Sequence, residues 1–551
     1  MNTTPLTERS FEPNPPPASD SGLAMPSLLY VPERTPGTAD PTPYLADLHL
    51  DAVIAAMAPG PFQRTVWENP PNDLAEVMQR QEVLRDLRRP AIRDAATHFA
   101  AAVTDAVGAL TSPSRDHYRL CGEVQVLAAL HRFAEAVRAF AAELAEQMPA
   151  SPRLRDVADA LAARVAGPLF AELADGSAVL LHDLCEPSAE LGVVAETVWA
   201  DLDAGQSGWV PQVAALLERL GSDPGEPVPH SPAPASGHSR HGPAPTRPAV
   251  RPRREPNHVE EQALGLIAQL RPDTFARLRA FLAAPTATVD PPLRRLAEEL
   301  RFFLGALAVV DDLTARGLAW CLPRVTSAPG AIDVRGLVDL ALTLADPTLT
   351  PVPNDLRLAS EQRVMFVTGP NQGGKTTLVR AVGQLAHLAA LGLPVPAASA
   401  TLPLHRPLLT HFPRPDDPAR QRGGLAEELV RLRAVLDAAS APALVIFNEL
   451  LSTTSADDAL QVSHLVLQRL AELGCRVLWV TFLDDLVTGV PGAASLVGQV
   501  DPDDPTRPTF RFRAQPPAGH SHAVVLAARF GLSADDLLGR LAPTPDEGRL
   551  P

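Results

Sequence analysis

The chain has 551 residues, 46% hydrophobic and 20% charged, which is material for several packed cores. A formal net charge of −16 argues against a dedicated nucleic-acid domain, which is basic as a rule, although one local basic patch can still hold DNA. Cys121, Cys185, Cys321 and Cys475 are dispersed, without metal-ligand spacing, and read as buried thiols of a reduced, cytoplasmic protein. The N-terminus has no basic start followed by an apolar run, and no stretch reaches ~20 uninterrupted apolar residues, so neither a signal peptide nor a membrane span is expected.

Residues 1–40, rich in Pro, Thr and Ser, are expected to be disordered. From Leu45 apolar residues recur at spacings of three and four, as in Asp73–Leu87. Long helical patterns follow over 91–110, 117–147 and 153–173, so residues 41–220 read as the first part of an elongated helical region. Residues 221–258 are a Pro-rich linker; His230, His238, His241 and His258 are solvated there, without the fixed geometry a metal needs. Helices resume over 259–284 and 291–317, and residues 259–345 form the second helical part. From 346 to 551 the pattern changes. Short apolar runs at 363–368, 443–447 and 476–481 read as buried strands, and helical segments between them predict a parallel, doubly wound sheet. Residues 509–513 alternate, as an edge strand does, and helices near 522–530 and 533–541 end the fold.

The chemistry is concentrated at Gly369, Pro370, Asn371, Gln372, Gly373, Gly374, Lys375, Thr376 and Thr377. The run satisfies G-x-x-x-x-G-K-[ST] between a strand and a helix, the context of a phosphate-binding P-loop. Glycines let backbone N–H groups converge on phosphate oxygens, and the helix N-terminus adds positive potential. Lys375 is expected to reach the β- and γ-phosphates of ATP, and Thr376 to ligate Mg²⁺. The strand ending in Asn448-Glu449 supplies the second part. In P-loop ATPases a strand end presents an acid to the metal, and the next acid polarises the attacking water. Asn448 stands at the metal position and brings no charge; Glu449 is the candidate general base. The predicted fold is therefore an α/β P-loop NTPase domain following an elongated, mainly α-helical region.

These residues resemble the MutS mismatch-repair ATPases. Pro353-Asn354-Asp355 followed by a strand and Gly369–Thr377 is similar to the family's V-P-N-D…T-G-P-N-M-G-G-K-S-T. Asn448–Ser455 resembles D-E-L-G-R-G-T-S-T, Gly423–Leu429 falls at S-T-F-M-x-E-M, and Thr481–Leu486 at T-H-Y-x-E-L. The resemblance implies that residues 41–220 and 259–345 are a helical core and lever, that the ATPase heads form a homodimer, and that the arms embrace double-stranded or branched DNA. It also implies that Ser521 turns the chain into its last helices.

Departures from the family pattern qualify this. Asn448 replaces the metal-side Asp, Gly423 the signature Ser, and Phe482 the switch His, which predicts weaker Mg²⁺ affinity or slower turnover, and altered allosteric coupling, with nucleotide binding intact. Only about forty residues precede the helical region, and the two Phe-x-Glu triplets, at Phe133 and Phe170, lie in helical patterns with the Phe expected inside. Both points argue against mismatch reading by an inserted wedge. Arg406, Arg414, Arg420 and Arg422 flank a Pro-rich loop and read as surface residues, with phosphate contact the sharper alternative. The leading expectation is an ATP-operated DNA clamp in mismatch repair or a related transaction. The rival is a nucleotide-operated module with weak hydrolysis that binds a protein or RNA. The long helices and the Pro-Asn pair argue against a small-molecule kinase.

Overall fold

The computed structural model describes residues 25–30, 44–58, 61–112, 118–185, 189–194, 197–202, 258–327, 330–414, 424–451, 454–504, 506–516 and 532. Helices come first: α1 (Tyr44–Asp47), α2 (Leu50–Met57), α3 (Pro61–Glu68), α4 (Leu74–Leu87), α5 (Pro90–Thr111), α6 (Arg119–Gln147), α7 (Pro152–Val165) and α8 (Pro168–Cys185). Strands β1 (Ala189–Val194) and β2 (Thr197–Leu202) follow, then α9 (His258–Leu270), α10 (Pro272–Ala283) and α11 (Pro291–Ala315). Alanine-rich faces let α5 and α6 pack closely, and Phe99 stacks on Phe140 with centroids 5.2 Å apart. The single helical patterns over 153–173 and 259–284 are each two helices. Pro168 and Pro272 open the second of each pair, because proline suits a first helical turn and breaks a helix interior. The Phe-x-Glu triplets lie as expected: Phe133 and Phe170 are buried within α6 and α8, while Glu135 and Glu172 are exposed.

The remaining elements are β3 (Arg324–Thr326), β4 (Ile332–Leu337), α12 (Leu340–Ala345), β5 (Asn354–Leu358), β6 (Val364–Thr368), α13 (Lys375–Ala390), β7 (Ser399–Pro403), β8 (Leu408–His411), α14 (Gly424–Ala438), β9 (Leu444–Asn448), α15 (Ala456–Glu472), β10 (Arg476–Val480), α16 (Asp484–Thr488), β11 (Ala494–Val500) and β12 (Pro508–Ala514). Six strands form one sheet in the order β12-β11-β6-β10-β9-β8, parallel except for the β11–β12 pair. Both faces are covered, so the strands read as continuous apolar runs. Met365, Val367, Ile446 and Leu478 face α13, while Phe366, Val445, Phe447 and Trp479 face the cluster containing Leu432 of α14 and Val466 of α15. The alternating segment at 509–513 is indeed an edge strand, β12.

Three expectations need correction. Residues 189–202 interrupt the helical stretch expected over 41–220 with an antiparallel hairpin. A four-stranded sheet, β3-β7-β4-β5, crosses the boundary expected at residue 346. Strands β3 and β4 precede that boundary, yet β7 pairs with both and β5 with β4. The α/β part therefore begins before Arg324. The third correction concerns residues 25–30, inside the stretch expected to be disordered. Met25, Leu28 and Leu29 are buried, the Ser27 hydroxyl and Leu28 N–H donate to Glu299 at 2.8 and 2.6 Å, and Arg295 donates to the Met25 carbonyl. The compositional reading averaged over prolines and missed three apolar anchors. Of the linker expected at 221–258, the last residue, His258, instead opens α9; residues 221–257 and the two last helices, with Ser521, lie outside the described residues.

Helix α13 joins the two regions. One stripe of it, Arg380, Gly383, Gln384 and His387, meets residues 44–48 at helical spacing. Arg380 Nε donates to the Asp47 carbonyl at 3.1 Å, and the His387 ring lies 3.2 Å from the Tyr44 hydroxyl. A side chain on Gly383 would strike Leu48. Gln384, fully buried, accepts from Leu340 N–H at 2.8 Å and donates to the Leu48 carbonyl at 2.9 Å and to Asp339 at 2.8 Å.

Replacing Gln384 by Leu strands the Leu48 carbonyl and the Leu340 N–H inside the core and leaves Asp339 Oδ1 with Leu342 N–H alone. We expect a loss of about 2–4 kcal/mol in urea denaturation. Burial pushes the His387 pKa down to about 3, with Arg406 adding to the effect. The unfolded chain protonates this ring near 6.5 and the folded one only near 3, so the unfolded state binds more protons in between. Stability must then fall as pH drops from 6.5, by roughly 1 kcal/mol per pH unit from this group. Denaturation midpoints measured from pH 7 to 4 should fall less steeply for His387→Asn.

Candidate nucleotide-binding site

Strand β6 is buried throughout and delivers the chain to the loop at Gly369. Gly369 has φ +130°, and a Cβ there would stand 2.9 Å from the Gly498 nitrogen of β11. Gly373 donates to the Pro370 carbonyl at 3.1 Å, and a Cβ on it would lie 2.9 Å from the same oxygen. Gly374, the N-cap of α13, has φ +88°. Gln372, with φ +61°, takes the same left-handed region without being glycine. The loop is thus wound too tightly for other side chains, and its amides lead directly into the first turn of α13.

Lys375 is 6% exposed. Its ammonium donates to the Gly369 and Pro370 carbonyls at 3.1 and 3.2 Å and to Asn371 Oδ1 at 3.1 Å. Burial pulls its pKa down, and Glu449, with Oε1 3.8 Å away, offsets part of that. Charge balance at this point rests on a single half-exposed carboxylate.

Asn448 ends β9 and is buried; Glu449 follows with φ +52°. Strand β9 is not the direct neighbour of β6, because β10 lies between them. The side chains meet nonetheless: the Thr376 hydroxyl donates to Asn448 Oδ1 at 3.2 Å. The turn after β9 is tied down by Glu449 N–H donating to the Val480 carbonyl at 3.0 Å and Leu451 N–H donating to Glu428 Oε1 at 2.7 Å. The sequence-predicted residues from Gly369 to Thr377, Asn448 and Glu449 are therefore brought together. Gly423, Arg420 and Arg422 lie outside the described residues. Phe482 is 53% exposed. Arg406 points elsewhere, to Asn72 Oδ1 at 3.0 Å and the Tyr44 hydroxyl at 3.3 Å.

A cavity of about 720 Å³ opens beside the loop. Gly374, Lys375, Thr376 and Glu449 line its polar end; Leu342, Leu349, Val352, Phe510 and Phe512 are among its apolar walls. Glycines whose Cβ atoms would collide, a buried ammonium and a hydroxyl–amide pair fit a triphosphate with a hard cation such as Mg²⁺, whose oxygen ligands here are neutral. Among the described residues no group of three or more His, Cys, Asp and Glu could hold a metal, and no helix is long and apolar enough to cross a membrane. The apolar walls at β12 and Leu342 escaped the sequence reading. Asn354, quoted there only as part of a motif, turns out to hold β12 in place.

Residues 365–498 match the family model of MutS domain V, a span from inside β6 to β11 that includes the whole loop, Asn448 and Glu449. The chain is 30% identical over 298 residues to "Endonuclease MutS2" of Thermomicrobium roseum, covering 49% of this chain and 37% of that protein. It is 34% identical over 193 residues to "DNA mismatch repair protein MutS" of Erythrobacter litoralis, covering 33% and 21% respectively. With "DNA mismatch repair protein MSH3" of Cryptococcus neoformans the figures are 30% over 181 residues, 32% and 15%. The matched part thus spans well under half of each of these relatives. The segment that carries the phosphate loop, residues 365–498, is thus similar to MutS domain V, and the likeness to MutS-family proteins reaches 49% of this chain or less in these three comparisons.

Proposed function

We propose that the protein binds ATP with Mg²⁺ at residues 369–377 and hydrolyses it slowly, using nucleotide to operate helical arms that embrace double-stranded or branched DNA as a homodimeric clamp. The observation that carries this reading is the meeting of loop and strand end, with Thr376 on Asn448 and Lys375 beside Glu449. Lys375 exchanges its three loop acceptors for phosphate oxygens, and the loop amides hold the phosphate chain in place. Thr376 Oγ1 and Asn448 Oδ1 would be the protein oxygens that hold Mg²⁺, which would supply neutralisation of phosphate charge. Glu449 is placed to take a proton from the attacking water. Its Oε1 lies 3.8 Å from the Lys375 ammonium, and Glu449, with left-handed backbone, lines the cavity. DNA affinity would come from backbone contacts and duplex shape. Mismatch repair is the process named for two of the three relatives described above, and a cytoplasmic setting suits it.

A second reading is favoured by Asn448 itself. An amide brings no charge to the metal, so the same site could serve a nucleotide-operated module with negligible turnover, whose arms hold a protein or RNA. The two readings separate in a pair of assays. The clamp requires salt-dependent duplex binding in fluorescence anisotropy that shifts on adding ATP; flat titrations at low salt would sink it.

Calorimetry should show ATP binding that Lys375→Ala weakens by about 30-fold or more, the equivalent of ~2 kcal/mol. An unchanged isotherm would remove the basis of the proposal. Asn448→Asp restores the missing negative charge beside Thr376. We expect ATP turnover, read as phosphate release, to rise by about tenfold, or ~1.4 kcal/mol in barrier, with a lower Mg²⁺ requirement.

A further inference from the structure

Strand β12 pairs regularly with β11 at Leu496–Ala514, Val497–Arg513 and Gly498–Phe512, then loses register. The next pair is Val500–Pro508, so three residues, 509–511, stand opposite Gln499 alone. The strand therefore bulges outward at its centre, and bulges beside sites re-aim side chains. Phe510 is the middle residue of that bulge. Its φ is +58°, a conformation that costs an aromatic residue of order 1–3 kcal/mol unless its surroundings impose it.

Two side chains hold the bulge: the Thr509 hydroxyl donates to the Gln499 carbonyl at 2.9 Å, and the Asn354 amide holds the chain from Phe510 onward. Asn354 Nδ2 donates to the Phe510 carbonyl at 3.0 Å and to the Val352 carbonyl at 3.2 Å. Its Oδ1 accepts from Phe512 N–H at 2.8 Å. A single amide thus grips the chain at the Phe510 carbonyl and at Phe512 N–H and ties it to β5 and to the wall segment at Val352. The consequence falls on the phosphate loop. The Phe510 ring lies where a Cβ on Gly374 would be 3.3 Å from its Cδ1, against the N-cap of α13, and the ring remains 47% exposed. Phe512 lines the same cavity, packed so that a Cβ on Gly498 would be 3.3 Å from its Cε1. No fold requirement calls for a strained, half-exposed phenylalanine at this point. A half-open cavity that must cover a polar ligand does.

We propose that Phe510 is a nucleotide-contact residue that covers the phosphate end of the cavity, and that Asn354 is the positioning residue that holds it there. This rests on the assignment of the cavity to ATP. With the ring in place, water is kept from one side of the α13 N-terminus, which strengthens its hold on phosphate. Removing the ring, or releasing it by removing the Asn354 amide, has the same effect on binding because both acts uncover the same face.

The test is a double-mutant cycle read by titration with fluorescent ATP, alongside thermal melts. Phe510→Ala should weaken ATP by about tenfold, and Asn354→Ala by a similar factor. The double variant should be no weaker than Phe510→Ala, since Asn354 acts only through the ring. Phe510→Gly should bind as poorly as Phe510→Ala but melt higher, because glycine takes the left-handed backbone freely. Unchanged affinity in Phe510→Ala overturns the proposal, as does a double variant whose losses multiply to about 100-fold. Lys375→Ala serves as the control in the same assay. If it abolishes binding while Phe510→Ala does not, the cover alone is wrong. If the unmodified protein does not bind ATP, the cavity assignment fails and takes the cover with it.

Discussion

Helix α13 is buried nearly all the way round, and every polar side chain on it must find its partner within the protein. Lys375 finds loop carbonyls, Thr376 finds Asn448, and Gln384 bridges Asp339 and the Leu48 carbonyl. The first turns face the cavity through Thr377, Leu378 and Ala381, while Arg380, Gln384 and His387 face the N-terminal helices. One rigid element therefore has the phosphate site at one end and the helical region along its flank. Asp339 lies on both circuits, lining the cavity and accepting from Gln384. A change of contents in the cavity has a short, fully hydrogen-bonded route to Leu48.

The legible parts of this arrangement were those that local chemistry dictates. A glycine-rich turn between an apolar run and a helix leaves few conformations, so the loop and strands β6, β9 and β10 could be placed from residue types. Thr376 and Asn448 were each legible as metal-side residues, while the hydrogen bond that joins them is seen only in the folded chain. What stayed hidden depends on distant partners. The segment at 25–30 is ordered by Glu299 and Arg295, some 270 positions away, and nothing in its own composition says so. Strands β3 and β4 look like loop ends until β7 pairs with them. The role of Asn354 needs β12 beside it, across more than 150 residues of chain.

The electrostatics of the site reflect what the chain lacks at position 448. An aspartate there would set a second carboxylate near Thr376, whereas the amide leaves Glu449 as the one anion facing Lys375. A buried ammonium with a partner 3.8 Å away and three neutral acceptors is stable without ligand, yet each of those acceptors is exchangeable for a phosphate oxygen. On the proposed reading, the neutral residue would lower the repulsion that an incoming triphosphate meets and weaken the hold on a metal, so that one substitution would separate nucleotide binding from hydrolysis.

Backbone strain follows the same map. Among the described residues, the non-glycine positions with left-handed φ are His49, Met148, Gln372, Glu449, Leu451 and Phe510. Gln372, Glu449 and Phe510 all line the cavity, on three separate elements. Each is overdetermined by its neighbours: Gln372 by the loop, Glu449 by its bond to Val480 and the Glu428 tie at Leu451, Phe510 by the Asn354 amide. Strain of order 1–3 kcal/mol at each site persists only where the surrounding structure over-determines it. Three independent elements bent out of their preferred geometry toward one cavity are hard to reconcile with a wall that merely closes the fold. The bends aim a polar side chain, a carboxylate and an aromatic ring at the same space, which is the demand a nucleotide makes.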